Sequence, residues 1–181
     1  MEFKTGDTVV EPSIGICEVE GIRKMTVDGQ EMVYYVFHAQ NNTKVMVPKT
    51  QMEKRGVRRP MSKDDAKKVM VLLKQPTSPN RNDARLQYTA YREVINSGDP
   101  ARISKLLRDL YTLDLANELK GKEREIMEQA RKFLVDEITF IRNDSKTKVL
   151  DEINEALKQM YKKKVQKERE EKKKRNASSA A

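Results

Sequence analysis

The sequence predicts an α+β protein: a small antiparallel β-barrel followed by a compact all-α bundle of about five helices, with an extended basic C-terminal helix. Three observations carry this. Residues 5–22 combine a Gly6-Asp7 turn, the apolar pair Val9-Val10, a corner at Pro12 and Gly15, and strict alternation through Ile16, Cys17, Glu18, Val19 and Glu20, a pattern with the two-residue period of a strand. Beyond residue 60 the apolar positions recur instead at 3.6-residue spacing, the mark of amphipathic helices. The formal charge of +9 is unevenly spread. Residues 1–59 carry nine Lys/Arg against eight Asp/Glu, residues 60–161 nineteen against seventeen, and residues 162–181 nine against three. Two thirds of the excess therefore sits in the tail. Any nucleic-acid contact by the body of the protein needs a local patch.

The β unit is expected to have five or so strands over residues 1–57. Strands are read at 8–10, 16–26, 31–38 and 44–48. Asp28-Gly29 supplies the two positive φ angles of a type I′ hairpin turn, and Gln40-Asn41-Asn42-Thr43 makes the next turn. The segment Arg55-Gly56-Val57-Arg58-Arg59-Pro60 reads as a linker or hinge.

The helical unit is expected over residues 62–165. Ser62 is placed to cap the first helix, with Asp64 and Asp65 in its first turn, and Pro76-Thr77-Ser78-Pro79-Asn80 ends it. A second helix runs over 83–97 and stops at Gly98, a left-handed cap. Pro100 opens the third at position N1, with Ile103, Leu106, Leu107, Leu110 and Tyr111 on one stripe. Leu119-Lys120-Gly121 separates it from a fourth helix with Ile126, Ala130, Phe133, Leu134, Ile138 and Ile141 inward. A fifth carries Val149, Ile153, Ala156, Leu157, Met160 and Tyr161 on its apolar stripe. Residues 166–181 are then a basic, flexible tail, with residues 162–175 able to extend the helix and residues 176–181 expected to be disordered. The tail reads either as a solvated helix end or as a weak attractor of phosphate.

Composition excludes several classes. Charged residues make up 36% of the chain and mean hydropathy is −0.81, so a soluble cytoplasmic protein is expected, with no spanning helix, signal peptide or membrane partner. One cysteine, Cys17, excludes an intramolecular disulfide and a multi-cysteine zinc site. With one histidine, His38, no Gly-rich phosphate loop and no Gly-x-Ser-x-Gly, no enzyme, metal site or cofactor is expected.

The segments Gly6-Asp7-Thr8-Val9-Val10, Pro12, Gly15, Gly21-Ile22, Asp28-Gly29 and Val47-Pro48 resemble the CarD/CdnL family of bacterial transcription regulators. The β unit is also similar to the polymerase-interacting module of transcription-repair coupling factor. The resemblance continues through Ser97-Gly98-Asp99, Arg108-Asp109-Leu110, Glu123-Arg124 and Ala130-Arg131 and spans roughly residues 1–160. It implies a Tudor-like barrel that binds the RNA polymerase β subunit, and a helical domain that contacts promoter DNA at the upstream edge of the −10 region to stabilise the open complex. A monomer is expected.

Carried over by position, the resemblance puts Met25 and Met46 where family members commonly have arginines, with Arg23, Lys24 and Lys44 beside them as sources of charge. It implies DNA contacts at Arg124, joined by Arg81, Arg85 and Lys122 on neighbouring segments. The family's minor-groove tryptophan is absent, and Ala84 stands in its place. Leu86 or Tyr88 could substitute as a wedge, although Tyr88 also fits a core position. The alternative is a polymerase-docking protein adaptor with little direct action on DNA.

Overall fold

The computed structural model describes residues 2–79 and 84–179, and their side chains except those of residues 84–86 and 179. Four antiparallel strands form one sheet in sequence order: β1 (Thr8–Glu11), β2 (Gly15–Val27), β3 (Gln30–Ala39) and β4 (Lys44–Pro48). The hairpin between β2 and β3 turns on Asp28 and Gly29, with φ of 50° and 78°, the left-handed pair that its sequence demands. Strand β2 carries a bulge between Val19 and Gly21, which bends the sheet into a half-barrel. Its concave face buries Phe3, Val9, Cys17, Val19, Tyr35, Phe37 and Val47 with Met52 and Val57.

A fifth strand does not form. After a 3₁₀ turn at Lys49–Gln51, the chain returns to the free edge of β1 for one bridge, in which Val10 and Arg58 exchange backbone hydrogen bonds of 2.7 and 3.1 Å. Pro60 lacks an N–H to continue a ladder, and the chain turns directly into the first helix.

That helix, α1 (Lys63–Leu73), starts with a reciprocal capping box between Ser62 and Asp65. Four more follow: α2 (Ala84–Ser97), α3 (Pro100–Leu115), α4 (Gly121–Arg142) and α5 (Lys146–Ser179). Asp99 caps α3 through the Ala101 N–H at 2.8 Å, and Gly98 takes a φ of 64° before it. Ala66, Val69, Leu73, Leu107, Leu110, Ile126, Leu134, Ile138, Ile153 and Leu157 fill the helical core.

Helix α5 departs from the sequence expectation, continuing through residues 176–179 where disorder is expected. Lysine, arginine, glutamate, glutamine and alanine are strong helix formers, and the pairs Lys164–Glu168 (2.6 Å) and Gln166–Glu170 (3.2 Å) span single turns.

The expected hinge is also different. Arg58 donates from both terminal guanidinium nitrogens to the Glu137 carboxylate at 2.7 Å and from Nε to the Gly98 carbonyl at 2.7 Å. Its guanidinium lies 5.7 Å from the Phe133 ring centroid. Glu137 accepts a further bond from the Met61 N–H at 2.7 Å. One arginine thus ties the edge of the sheet to the α2–α3 corner and to α4.

Candidate functional site

The β2–β3–β4 register decides which of the expected docking residues share a face. Arg23 pairs with Tyr34, Met25 with Met32, Met46 with Val36 and Lys44 with His38. Side chains at directly paired positions project to the same side of a pleated sheet, so Arg23, Met25, Lys44 and Met46 share the convex face with Met32 and Tyr34, strung along it from Lys44, level with Glu18, through Met46, level with Gly21, to Met25 near the hairpin end. Lys24 alternates to the other face and pairs with Glu31 at 2.9 Å. Lys44 is engaged by Glu20, the bulge residue, at 2.7 Å. Arg23 and Met25 are exposed and Met46 is half-buried. The outer half of the β2–β3 hairpin reaches past the core, leaving Ile22, Met25 and Val27 at 54%, 44% and 38% exposure. Met25 and Val27 alternate to the convex face, while Ile22, paired with Tyr35, lies on the other face with Lys24.

The helical candidates are dispersed. Arg124 and Lys122 sit exposed in the first turn of α4. Arg124 makes an ion pair of 2.8 Å with Asp114 near the end of α3, and Glu125 and Glu128 border the same shallow depression. A phosphate arriving there competes with Asp114 for the guanidinium. Tyr88 is half-buried and packs against the helical core, which meets the core reading of this residue. The backbone places Ala84, Arg85 and Leu86 in the first turn of α2, while their side chains lie outside the described part of the structure. Arg81 lies outside the described residues altogether.

The sequence reading missed the Arg58–Glu137 pair. Glu137 is 1% exposed and occupies the inward stripe of α4, three residues beyond Leu134 and next to Ile138. A carboxylate on an apolar stripe is a signal of a buried partner, but the sequence does not say which arginine answers it. In the β lobe, buried Glu11 is paired with half-buried Arg55 (2.9 Å) and also accepts from Ser13. Cys17 is buried, and its thiol is pushed up to about 11, first by burial and then by Glu11. Among the described residues no helix is long and apolar enough to cross a membrane.

Residues 3–61 match the family model of the CarD-like/TRCF RID domain, and residues 68–154 match that of the CarD C-terminal domain. A protein of Bacillus subtilis (strain 168), provisionally described as the transcription factor YdeB, is 23% identical over 141 residues, covering 77% of this chain and 92% of that protein. The two domain models follow in order along most of the sequence and coincide with the two hydrophobic cores, so the chain belongs to the CarD-like family of transcription factors.

Proposed function

We propose that the protein regulates transcription by docking on the β subunit of bacterial RNA polymerase through the convex face of β2–β4 and by contacting promoter DNA, at the upstream edge of the −10 region, with its helical lobe. In this reading residues 1–57 are the docking domain and residues 62–165 the DNA-contacting domain. The observation that carries it is the convex face shared by exposed Arg23 and Met25 and half-buried Met46, within the segment matched by the RID model. Methionine adapts its shape at interfaces, and Arg23 and Lys44 supply charge at its edges. The helical lobe contributes Arg124 and Lys122 as backbone contacts, which position a protein on DNA without reading sequence. The outcome is a longer-lived open complex. The cytoplasm is the compartment this requires.

A second reading has its own support. No tryptophan stands in this chain, and Arg124 is paired to Asp114, so the helical lobe could serve as a protein adaptor with little direct action on DNA. Two variants separate the readings. Met25→Glu with Met46→Glu is expected to abolish capture of core polymerase by the full-length chain while its circular dichroism is unchanged. Arg124→Glu is expected to leave capture intact and to shorten the open-complex lifetime that the unmodified chain extends. Capture undiminished in the first variant would refute the docking face. An open-complex lifetime identical with and without saturating unmodified protein would refute the DNA role and leave the adaptor.

A further inference from the structure

The helical overhang of α5 beyond Tyr161 has no place in the function proposed above, yet its charges are sorted. Helix α5 leaves the core at Met160, whose Sδ is 3.9 Å from the Thr112 hydroxyl near the end of α3. From residue 166 through residue 178 every side chain is exposed. The carboxylates on this overhang are answered locally: Glu168 by Lys164 at 2.6 Å, Glu171 by Lys167 at 4.0 Å, and Glu170 by Gln166 at 3.2 Å. At about 100° per residue, Lys162, Arg169, Lys172 and Lys173 fall within one arc of roughly 100° that contains no carboxylate. Among the described residues none of these four makes an ion pair. The arc turns away from the stripe of Ile153, Ala156, Leu157 and Met160 that holds α5 to the bundle. At ~1.5 Å rise per residue it is about 16 Å long.

We infer that this stripe is an electrostatic arm that lies along the phosphate backbone of duplex DNA, extending the contact begun at the α3–α4 corner. The inference rests on the DNA arm of the proposed function. Two features support duplex DNA as the occupant. The overhang leaves the bundle beside the C-terminal part of α3, where Tyr111 feels the charge of Asp114, the partner of Arg124, and the neighbouring ring of Tyr161, so the overhang starts on the same side of the bundle as that ion pair. Val165 is its only large apolar residue beyond Tyr161, which removes the apolar face that a membrane-surface helix needs and the anchors that a protein interface centres on. A duplex offers one charge per ~1.7 Å of axis, and four unpaired cations on one face match a target recognised by density of charge alone.

The test compares two full-length variants of equal net charge on a short promoter duplex. In one, Lys162, Arg169, Lys172 and Lys173 are each changed to Gln. In the other, Lys163, Lys164, Lys167 and Lys174, on the remaining faces, are changed to Gln. The slope of log affinity against log salt concentration is measured for each. Removal of the stripe is expected to flatten the slope by roughly 2 to 4, about 0.9 for each phosphate that is no longer neutralised, while the second variant retains the slope of the unmodified chain. Equal flattening in both would replace the arm with a diffuse net-charge effect and overturn the inference. So would an unchanged slope in the first variant, or a first variant that loses affinity for core polymerase and not for DNA. Arg124→Glu is scored in parallel: if it alone abolishes the salt-dependent binding, the DNA role stands and the arm falls.

Discussion

At the scale of single residues, the pairing of Arg58 with Glu137 is asymmetric, and the asymmetry has consequences. The Arg58 side chain keeps 20% of its surface in solvent while that of Glu137 keeps 1%. A buried charge that loses its only counter-charge bears the full desolvation penalty, whereas a partly exposed cation regains water. Arg58→Met is therefore expected to destabilise the protein by about 3 to 5 kcal/mol. Glu137→Gln keeps an acceptor for the Met61 N–H and leaves the uncompensated charge on the better-hydrated partner, so it is expected to cost less, on the order of 1 to 3 kcal/mol. Urea unfolding of the two variants gives the order directly. A larger loss in Glu137→Gln than in Arg58→Met would mean that packing, and not the buried carboxylate, sets the requirement at this position.

At the scale of elements, the α4–α5 turn joins charge to geometry. Asp136 on α4 accepts from Lys146, the first residue of α5, at 2.7 Å and from Lys132 one turn earlier at 3.0 Å. Burial opposes its charge, but the hydrogen bonds from Lys146 and Lys132 outweigh burial and hold its carboxyl below the usual 3.8. A group with a depressed native pKa contributes stability that is present above its unfolded value and is lost as pH falls through the native one. The free energy of unfolding is thus expected to fall more steeply below about pH 4 in the natural chain than in Asp136→Asn, measured by urea unfolding at stepped pH; parallel curves would remove Asp136 from the acid sensitivity. The elements themselves were legible where the cause is local. Asp28-Gly29 demands its turn, Ser62 supplies a cap, Gly98 terminates α2, Pro100 opens α3, and the period change near residue 60 separates strands from helices. What escaped depends on partners distant in sequence. A one-residue bulge at Glu20 and the lone Val10–Arg58 bridge have no local signature, and four strands formed where five or so were expected. Lys24 parts from Met25 by simple alternation, yet the placing of Met46 on the same face as Met25, level with Gly21, required the register of three strands. The extent of α5 escaped for the opposite reason: a helix without a core to pack on is set by propensity and single-turn pairs, which leave no hydrophobic period to count.

At the scale of the whole molecule, the two lobes meet at contacts too close to slide. Gly56, at φ 67°, approaches the α2–α3 corner so tightly that a Cβ would stand 2.7 Å from the Ser97 carbonyl oxygen and 2.8 Å from that of Asn96. A Cβ on Gly98, at φ 64°, would stand 2.7 Å from the Pro12 ring. With Arg58 spanning the same seam, the convex face of the sheet and the start of α4 are presented in one fixed relation. For the bridging role proposed above this rigidity would be an advantage, because an orientation fixed beforehand need not be ordered on binding. Gly56→Ala tests it, with Gly29→Ala as its control. Both substitutions place a side chain in the left-handed region, at a cost of roughly 1 to 2 kcal/mol, but a Cβ at Gly29 meets nothing within 4 Å. The control is therefore expected to lower stability while the unfolding transition stays single and the radius of gyration unchanged. Gly56→Ala meets backbone carbonyls that cannot swing aside, so the lobes must part. Its radius of gyration in small-angle scattering is expected to rise, and unfolding to split into two transitions. With the sheet face intact, capture of polymerase should persist while the effect on the promoter complex is lost. A Gly56→Ala protein as compact as the control would show that the seam yields, and the fixed presentation of the two surfaces would have to be abandoned.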